Sequence, residues 1–173
     1  MNTPNRTIHV LVVDDDPSFT ELLATMLERE NNRFEVHSAT TVKEGFDTLE
    51  SVRIDCVVSD YGLAKTDGLT FLETIRSEYG EIPFVLLTGE GDEEVASEAI
   101  SAGVTDYIRK QQGTDQYSLL ASRLTDAVEK RWARKALERR KRELEQLNER
   151  FQSFVRHSPD IIVVLSDMGT VQY

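Results

Sequence analysis

The sequence predicts a doubly wound α/β domain, a five-stranded parallel sheet with helices on both faces, extended by one long C-terminal helix. Three observations predict it. Over the first 113 residues, short apolar β-branched runs alternate with segments of three- and four-residue apolar spacing, the pattern of strands linked by crossover helices. Each strand run is nearly all apolar and stops at polar or turn residues, as strands buried on both faces do. From Asp115 to Arg156 there is no Pro or Gly, and Ala, Leu, Glu, Lys, Arg and Gln dominate. That stretch predicts a helix of about 40 residues.

Taken in order, Ile8 to Val13 is the first strand, broken by Asp14-Asp15-Asp16-Pro17. Pro17 suits a first helical turn, and Phe19, Leu22, Leu23, Met26 and Leu27 give the first helix one apolar face. The unit repeats four times: strand Phe34 to Ser38 with helix Val42 to Glu50, strand Cys56 to Ser59 with helix Leu69 to Glu78, strand Phe84 to Leu87 with helix Glu93 to Ala102, and strand Asp106 to Ile108 with the helix from Asp115. Within that last helix Leu120, Leu124, Val128 and Trp132 step by four, as on a helix packed against a sheet. Leu137, Leu144 and Phe151 then step by seven with Leu147 and Phe154 between them, a short heptad seam of the coiled-coil kind. Arg140 falls on that seam and must reach outward or meet an acid such as Glu143 or Glu145. After His157-Ser158-Pro159-Asp160, an apolar run Ile161 to Leu165, a turn Asp167-Met168-Gly169 and a β-prone Thr170 to Tyr173 predict the opening hairpin of a further domain. The expected organisation is a domain over 1–128, a helical coiled-coil linker over 129–156 and the start of another domain over 157–173.

Composition narrows the function. With 39% hydrophobic and 29% charged residues the chain reads as globular, and no apolar run approaches the roughly 18 residues of a membrane span. The N-terminus does not read as a secretory signal, so a cytoplasmic protein is expected. The net charge of -11 is uneven: 22 acidic against 9 basic residues through Gly113, and 9 against 11 from Thr114 onward. An acidic body repels nucleic acid phosphate, so no nucleic acid partner is expected for it. Arg outnumbers Lys and the acidic surface is similar to that of proteins from salt-loving organisms. Cys56, the single cysteine, reads as a small buried hydrophobe, and His9 and His37 read as structural strand residues.

Sites in doubly wound sheets form at the carboxyl ends of the strands. Those ends carry Asp14 and Asp15 after strand 1, Asp60 after strand 3, Thr88 after strand 4 and Lys110 after strand 5. Clustered carboxylates call for a cation, and oxygen-only ligation favours Mg2+ or Mn2+ over softer metals. A lysine and a threonine hydroxyl beside them suit a phosphoryl group. Alignment on the buried Leu11-Val12-Val13 run leaves Asp16 as the N-cap of the first helix.

Together Val12-Val13-Asp14-Asp15-Asp16-Pro17, Val57-Val58-Ser59-Asp60 leading to Asp67-Gly68-Leu69, Val85-Leu86-Leu87-Thr88-Gly89, Ala102-Gly103 and Tyr107-Ile108-Arg109-Lys110 resemble the receiver domain of two-component response regulators over about 115 residues. The resemblance implies a flavodoxin-like receiver fold with strand order 2-1-3-4-5. It also implies that Asp60 accepts a phosphoryl group from the phosphohistidine of a sensor histidine kinase or phosphotransfer protein, with later self-dephosphorylation. Asp14, Asp15, Asp60 and the backbone carbonyl of Gly62 would hold Mg2+, or Mn2+. Lys110 would pair with the phosphoryl oxygens, Thr88 would swing toward them, and Tyr107 would rotate inward, altering the surface of helix 4, strand 5 and the last helix. Two departures from the family pattern are Gly62-Leu63-Ala64, where a Met-Pro pair is usual, and Gln111, where a proline commonly follows the lysine and fixes its placement.

The last 20 residues, with Ser158-Pro159-Asp160-Ile161-Ile162 and Asp167-Met168-Gly169, look like the opening of a PAS domain. A receiver joined by a helix to PAS is similar to the front of certain sensor histidine kinases, particularly those of halophilic archaea. In that reading two chains pair in parallel through the last helix, and the receiver passes its state to the downstream PAS and kinase modules. His157 precedes a Pro and a strand, unlike a phosphodonor histidine inside a long helix. Three rivals are weighed. One, a receiver used purely as a protein-docking module, differs from a phosphorylated one only in whether Asp60 is modified. A phosphatase of the haloacid dehalogenase type could use Asp14 and Asp16, but would leave Asp60 without a role. A DNA-binding regulator could use the eight Lys and Arg between Lys130 and Arg142, but that stretch overlaps the heptad seam and lacks a base-reading asparagine.

Overall fold

The computed structural model describes residues 6–63, 66–89, 93–110 and 113–157. Five parallel strands form the central sheet: β1 (Ile8–Val13), β2 (Phe34–Ala39), β3 (Cys56–Asp60), β6 (Phe84–Thr88) and β7 (Asp106–Arg109), in the order β2-β1-β3-β6-β7. Counting the sheet's own strands, that is the expected order 2-1-3-4-5. The intervening helices are α1 (Pro17–Glu30), α2 (Val42–Ser51), α3 (Gly68–Glu78) and α4 (Glu93–Ala102), and α5 (Asp115–His157) closes the chain. One element was not expected: β4 (Gly62–Leu63) and β5 (Thr66–Asp67) pair antiparallel in a two-stranded hairpin between β3 and α3. Two-residue strands lie below the length at which alternation can be read.

The strand sequences explain the sheet. β1 (Ile-His-Val-Leu-Val-Val) is buried at all but His9, and β6 is buried throughout, as central parallel strands covered by helices must be. Leu11, Val57, Phe71, Ile75, Phe84 and Leu86 form the heart of one core cluster. Helix starts follow capping chemistry: the Asp16 carboxylate accepts from the Ser18 and Phe19 N–H groups at 2.9 and 3.3 Å, Thr41 Oγ1 accepts from Glu44, and Asp67 accepts from Thr70 at 2.6 Å. Asp16 therefore caps α1, as alignment on the buried strand predicted.

The chain divides into two compact units, 1–131 and 132–173. In the first, Leu120, Leu124 and Val128 of α5 are buried, Asn31 Nδ2 donates to Thr125 Oγ1, and Arg33 pairs with Glu129 at 2.7 Å. In the second, the described residues are all helix, with Leu137, Leu144, Leu147, Phe151 and Phe154 exposed. Glu143 pairs with Arg139 and Glu145 with Lys141, each one turn apart, so both acids suggested as partners for Arg140 hold other bases. The PAS-like segment from Ser158 onward lies outside the described residues. No described helix is long and apolar enough to cross a membrane.

Candidate functional site

The carboxyl end of the sheet assembles the predicted residues around one ammonium group. Lys110, just past β7, places its Nζ 2.7 Å from Asp14 Oδ2 and 2.7 Å from Asp60 Oδ1. The two carboxylates come from adjacent strands, β1 and β3, whose parallel register sets Val13 beside Ser59. Lys110 reaches them because its backbone N–H donates to the Thr88 carbonyl at 2.7 Å, continuing the β6–β7 ladder past the strand end. Its Nζ also lies 4.3 Å from the centroid of the Phe19 ring, a cation–π contact that screens one side of the charge. Burial alone would lower the Lys110 pKa, but hydrogen bonds to Asp14 and Asp60 outweigh it and hold the group above its ordinary value.

The acids differ in access and in their remaining bonds. Asp14 is 3% exposed at its side chain and accepts from the Asp16 N–H at 2.9 Å through Oδ1. Asp60 is 13% exposed and accepts from the Gly62 N–H at 2.9 Å through Oδ2. Of the two, Asp60 is the carboxylate that a donor in solution can reach. Asp15 is exposed, and Asp14, Asp15 and Asp60 do not together bring one oxygen each within 4.8 Å of one another. The expected convergence is thus complete for Asp14, Asp60 and Lys110, with Asp15 at the rim.

Thr88 ends β6 and is buried. Tyr107 lies opposite Leu86 on β7 and packs against the core, and among the described residues its buried hydroxyl has no hydrogen-bond partner. Beside it, Asp106, Arg109, Gln116, Leu119 and Arg123 line a groove of about 320 Å³ between β7 and α5.

Two positioning residues had no role assigned from the sequence. One is Phe19, whose spacing marked it only as helix face. The other is Gly68, the first residue of α3, whose N–H donates to the Tyr61 carbonyl at 2.9 Å. A Cβ at Gly68 would fall inside contact distance of the Asp60 carbonyl oxygen and 2.7 Å from Leu86 Cδ1. The β4–β5 hairpin folds the start of α3 back against the end of β3, and only glycine fits that approach.

A parallel doubly wound sheet with paired acids and a lysine at its carboxyl end defines a receiver-type signalling domain. The chain belongs to the response regulator receiver domain family, whose model matches residues 10–129. Among relatives, it is 31% identical over 145 residues to the nitrogen assimilation regulatory protein NtrX of Azorhizobium caulinodans, covering 81% of this chain and 29% of that one. It is 33% identical over 101 residues to the transcriptional regulatory protein SrrA of Staphylococcus aureus, covering 58% of this chain and 41% of that one. Among solved structures, the signal receiver domain of an HD domain-containing protein from Pseudomonas fluorescens is 28% identical with a TM-score of 0.65, covering 74% of this chain and 99% of that one. The chain spans less than half the length of the two curated relatives. The chain thus carries a response regulator receiver domain over residues 10–129.

Proposed function

We propose that Asp60 is the phosphoacceptor and that the domain relays its phosphorylation state through α5. The observation that carries this reading is the Lys110 ammonium held 2.7 Å from both Asp14 and Asp60, a fixed positive charge beside the more accessible carboxylate. An Asp60 oxygen attacks the phosphorus of a phosphohistidine on a sensor histidine kinase or phosphotransfer protein. The O–P bond forms, the N–P bond breaks, and the imidazole leaves with the electron pair and takes up a proton. Lys110 then pairs with the phosphoryl oxygens, and Thr88 donates its hydroxyl to one of them. Hydrolysis of the same acyl phosphate returns the domain to its resting state.

The donor set fits a hard divalent ion: Asp14 and Asp60 present oxygens no further apart than twice 2.7 Å, and the neighbouring Asp15 adds an exposed carboxylate. Asp14, Asp15, Asp60 and the Gly62 carbonyl would hold Mg2+ or Mn2+, which when bound neutralises phosphoryl charge. The Tyr107 hydroxyl supports a two-state switch, since a buried hydroxyl without a partner among the described residues costs about 1–3 kcal/mol and a rotation of the ring that finds one would recover it. The groove between β7 and α5 would change with it.

For output, the exposed seam Leu137, Leu144, Leu147, Phe151 and Phe154 supports a parallel pairing of two chains, and the sequence after Arg156 supports a PAS and kinase module downstream in a cytoplasmic protein. A DNA-binding output is the alternative. The relatives named as regulators match this chain over too little of their length to favour it. Incubating the wild type and Asp60→Asn with acetyl phosphate and Mg2+ and weighing the intact proteins tests the acceptor: an adduct is expected on the wild type alone, and one on Asp60→Asn would reject the assignment.

A further inference from the structure

Toward the amino end of the sheet, the edge strand β2 and its neighbour β1 bring three metal-ligand side chains together. The register of β1 with β2 sets His9 beside Glu35 and Leu11 beside His37. Residues two apart on a strand share a face, so His9, Glu35 and His37 stand on one side of the sheet. His9 Nδ1 lies 3.2 Å from His37 Nε2, and each of those nitrogens lies 3.8 Å from Glu35 Oε1. The ring planes lie 25° apart with centroids 5.5 Å apart. Among the described residues this is the one group of three His, Cys, Asp or Glu side chains whose ligand atoms all lie within 4.8 Å of one another.

A tetrahedral Zn2+ bound at ordinary lengths needs nitrogen and oxygen ligands about 3.3–3.5 Å apart. The observed triangle brackets that spacing, and the vertex that must move a few tenths of an ångström belongs to the exposed, flexible Glu35. Two neutral imidazoles can share one N–H···N bond, and that alone would account for the 3.2 Å contact. It does not account for Glu35, which at 3.8 Å from both nitrogens is too far to bond either ring. A cation at the centre of the triangle is bonded by all three. Glu28 of α1 adds negative charge beside His37 while its carboxylate accepts from the Val36 N–H at 3.0 Å. Both rings are partly exposed, which gives an ion a way in.

We propose that His9, Glu35 and His37 form a Zn2+ site, with the fourth position open to solvent. Two imidazoles and one carboxylate suit a borderline transition metal, whereas the oxygen-only aspartates suit Mg2+. The two sites are also separate in space, since the five steps of extended chain from His9 to Asp14 span about 16 Å. Zn2+ would tie the edge strand β2 to β1 and stabilise the folded receiver by mass action.

The test is calorimetric titration of ZnCl2 into the full chain, stripped with chelator and held in excess Mg2+ so that the aspartates are competed. One equivalent of Zn2+ per chain is expected, with a raised melting temperature and visible absorption when Co2+ replaces Zn2+. His37→Gln and the double variant His9→Gln/His37→Gln should weaken binding by more than about 100-fold, beyond what loss of a merely supporting contact costs. Unchanged metal-free melting and retained reactivity with acetyl phosphate would show those variants folded. Asp60→Asn should bind Zn2+ as the parent does. Absence of saturable binding, binding that survives the double variant, or binding lost in Asp60→Asn would each overturn the site, the second moving the ion to other groups such as His157 and the third to the aspartates.

Discussion

Lys110 sits between two acids that would otherwise repel, and its charge is what lets Asp14 be 3% exposed at its side chain without an unpaired buried carboxylate. Because partners raise its pKa, it stays cationic through the neutral range, and the stability it confers is lost only as pH rises through that raised value. Gly68 decides how closely α3 approaches. Gly68→Ala places a methyl against the Asp60 carbonyl and Leu86, and overpacking of this kind costs about 1–3 kcal/mol. The expected result is a lower urea midpoint with an unchanged slope, together with slower labelling of Asp60 by acetyl phosphate. A parental midpoint would mean that the close approach has no energetic weight. At this scale the aspartates and Lys110 were legible because their strand ends are; Gly68 was not, because its constraint comes from a hairpin of two-residue strands. The His9–Glu35–His37 triangle was hidden for another reason: it depends on the pairing register of two strands, which neither strand's own sequence states.

Along α5 one periodicity gives way to another, and each half follows its own rule. Leu120, Leu124 and Val128 are buried, as four-residue spacing on a sheet-packing helix requires. Leu137 and Leu144 are 70% and 66% exposed in the single chain, an apolar stripe on an otherwise charged helix whose simplest cover is the same stripe of a second copy. The exposed pairs Arg134–Glu138, Arg139–Glu143 and Lys141–Glu145 support the helix by only about 0.2–0.5 kcal/mol each, so they do not replace that cover. With Arg140 interrupting the seam, association should be modest. Sedimentation equilibrium on the full chain is expected to give a monomer–dimer equilibrium, and Leu144→Asp, which sets a charge in the seam, should abolish it. A variant that associates as well as its parent would reject the seam.

Across the whole molecule, the sheet order was legible because five strand–helix repeats admit few topologies, while helix propensity runs unbroken through α5, so only the change of apolar spacing hinted at a division near residue 128, and the first compact unit runs to 131. The contacts fix that point. Asp55 is buried, accepts from the His9 N–H at 3.3 Å, and pairs with Arg6 at 3.8 Å. Arg131 of α5 donates to the Asp55 carbonyl at 3.5 Å, two residues beyond the Arg33–Glu129 pair. A chain ending at Gln112 would lose Tyr117, Leu120, Ala121, Leu124 and Val128 from the core. Each large apolar side chain among them is worth about 1.5–3 kcal/mol when fully buried, and together they approach or exceed the 5–15 kcal/mol that stabilises a typical domain. A chain ending after Ala133 keeps all of them, and with them the Arg33–Glu129 and Arg131–Asp55 contacts. We therefore expect the Gln112 chain to lack a cooperative unfolding transition, and the Ala133 chain to unfold cooperatively, to sediment as a monomer and to accept phosphate from acetyl phosphate as the full chain does. Cooperative unfolding of the shorter chain would show that α5 is dispensable to the core. Failure of the longer one to take phosphate would show that the helix beyond Ala133 supports the site.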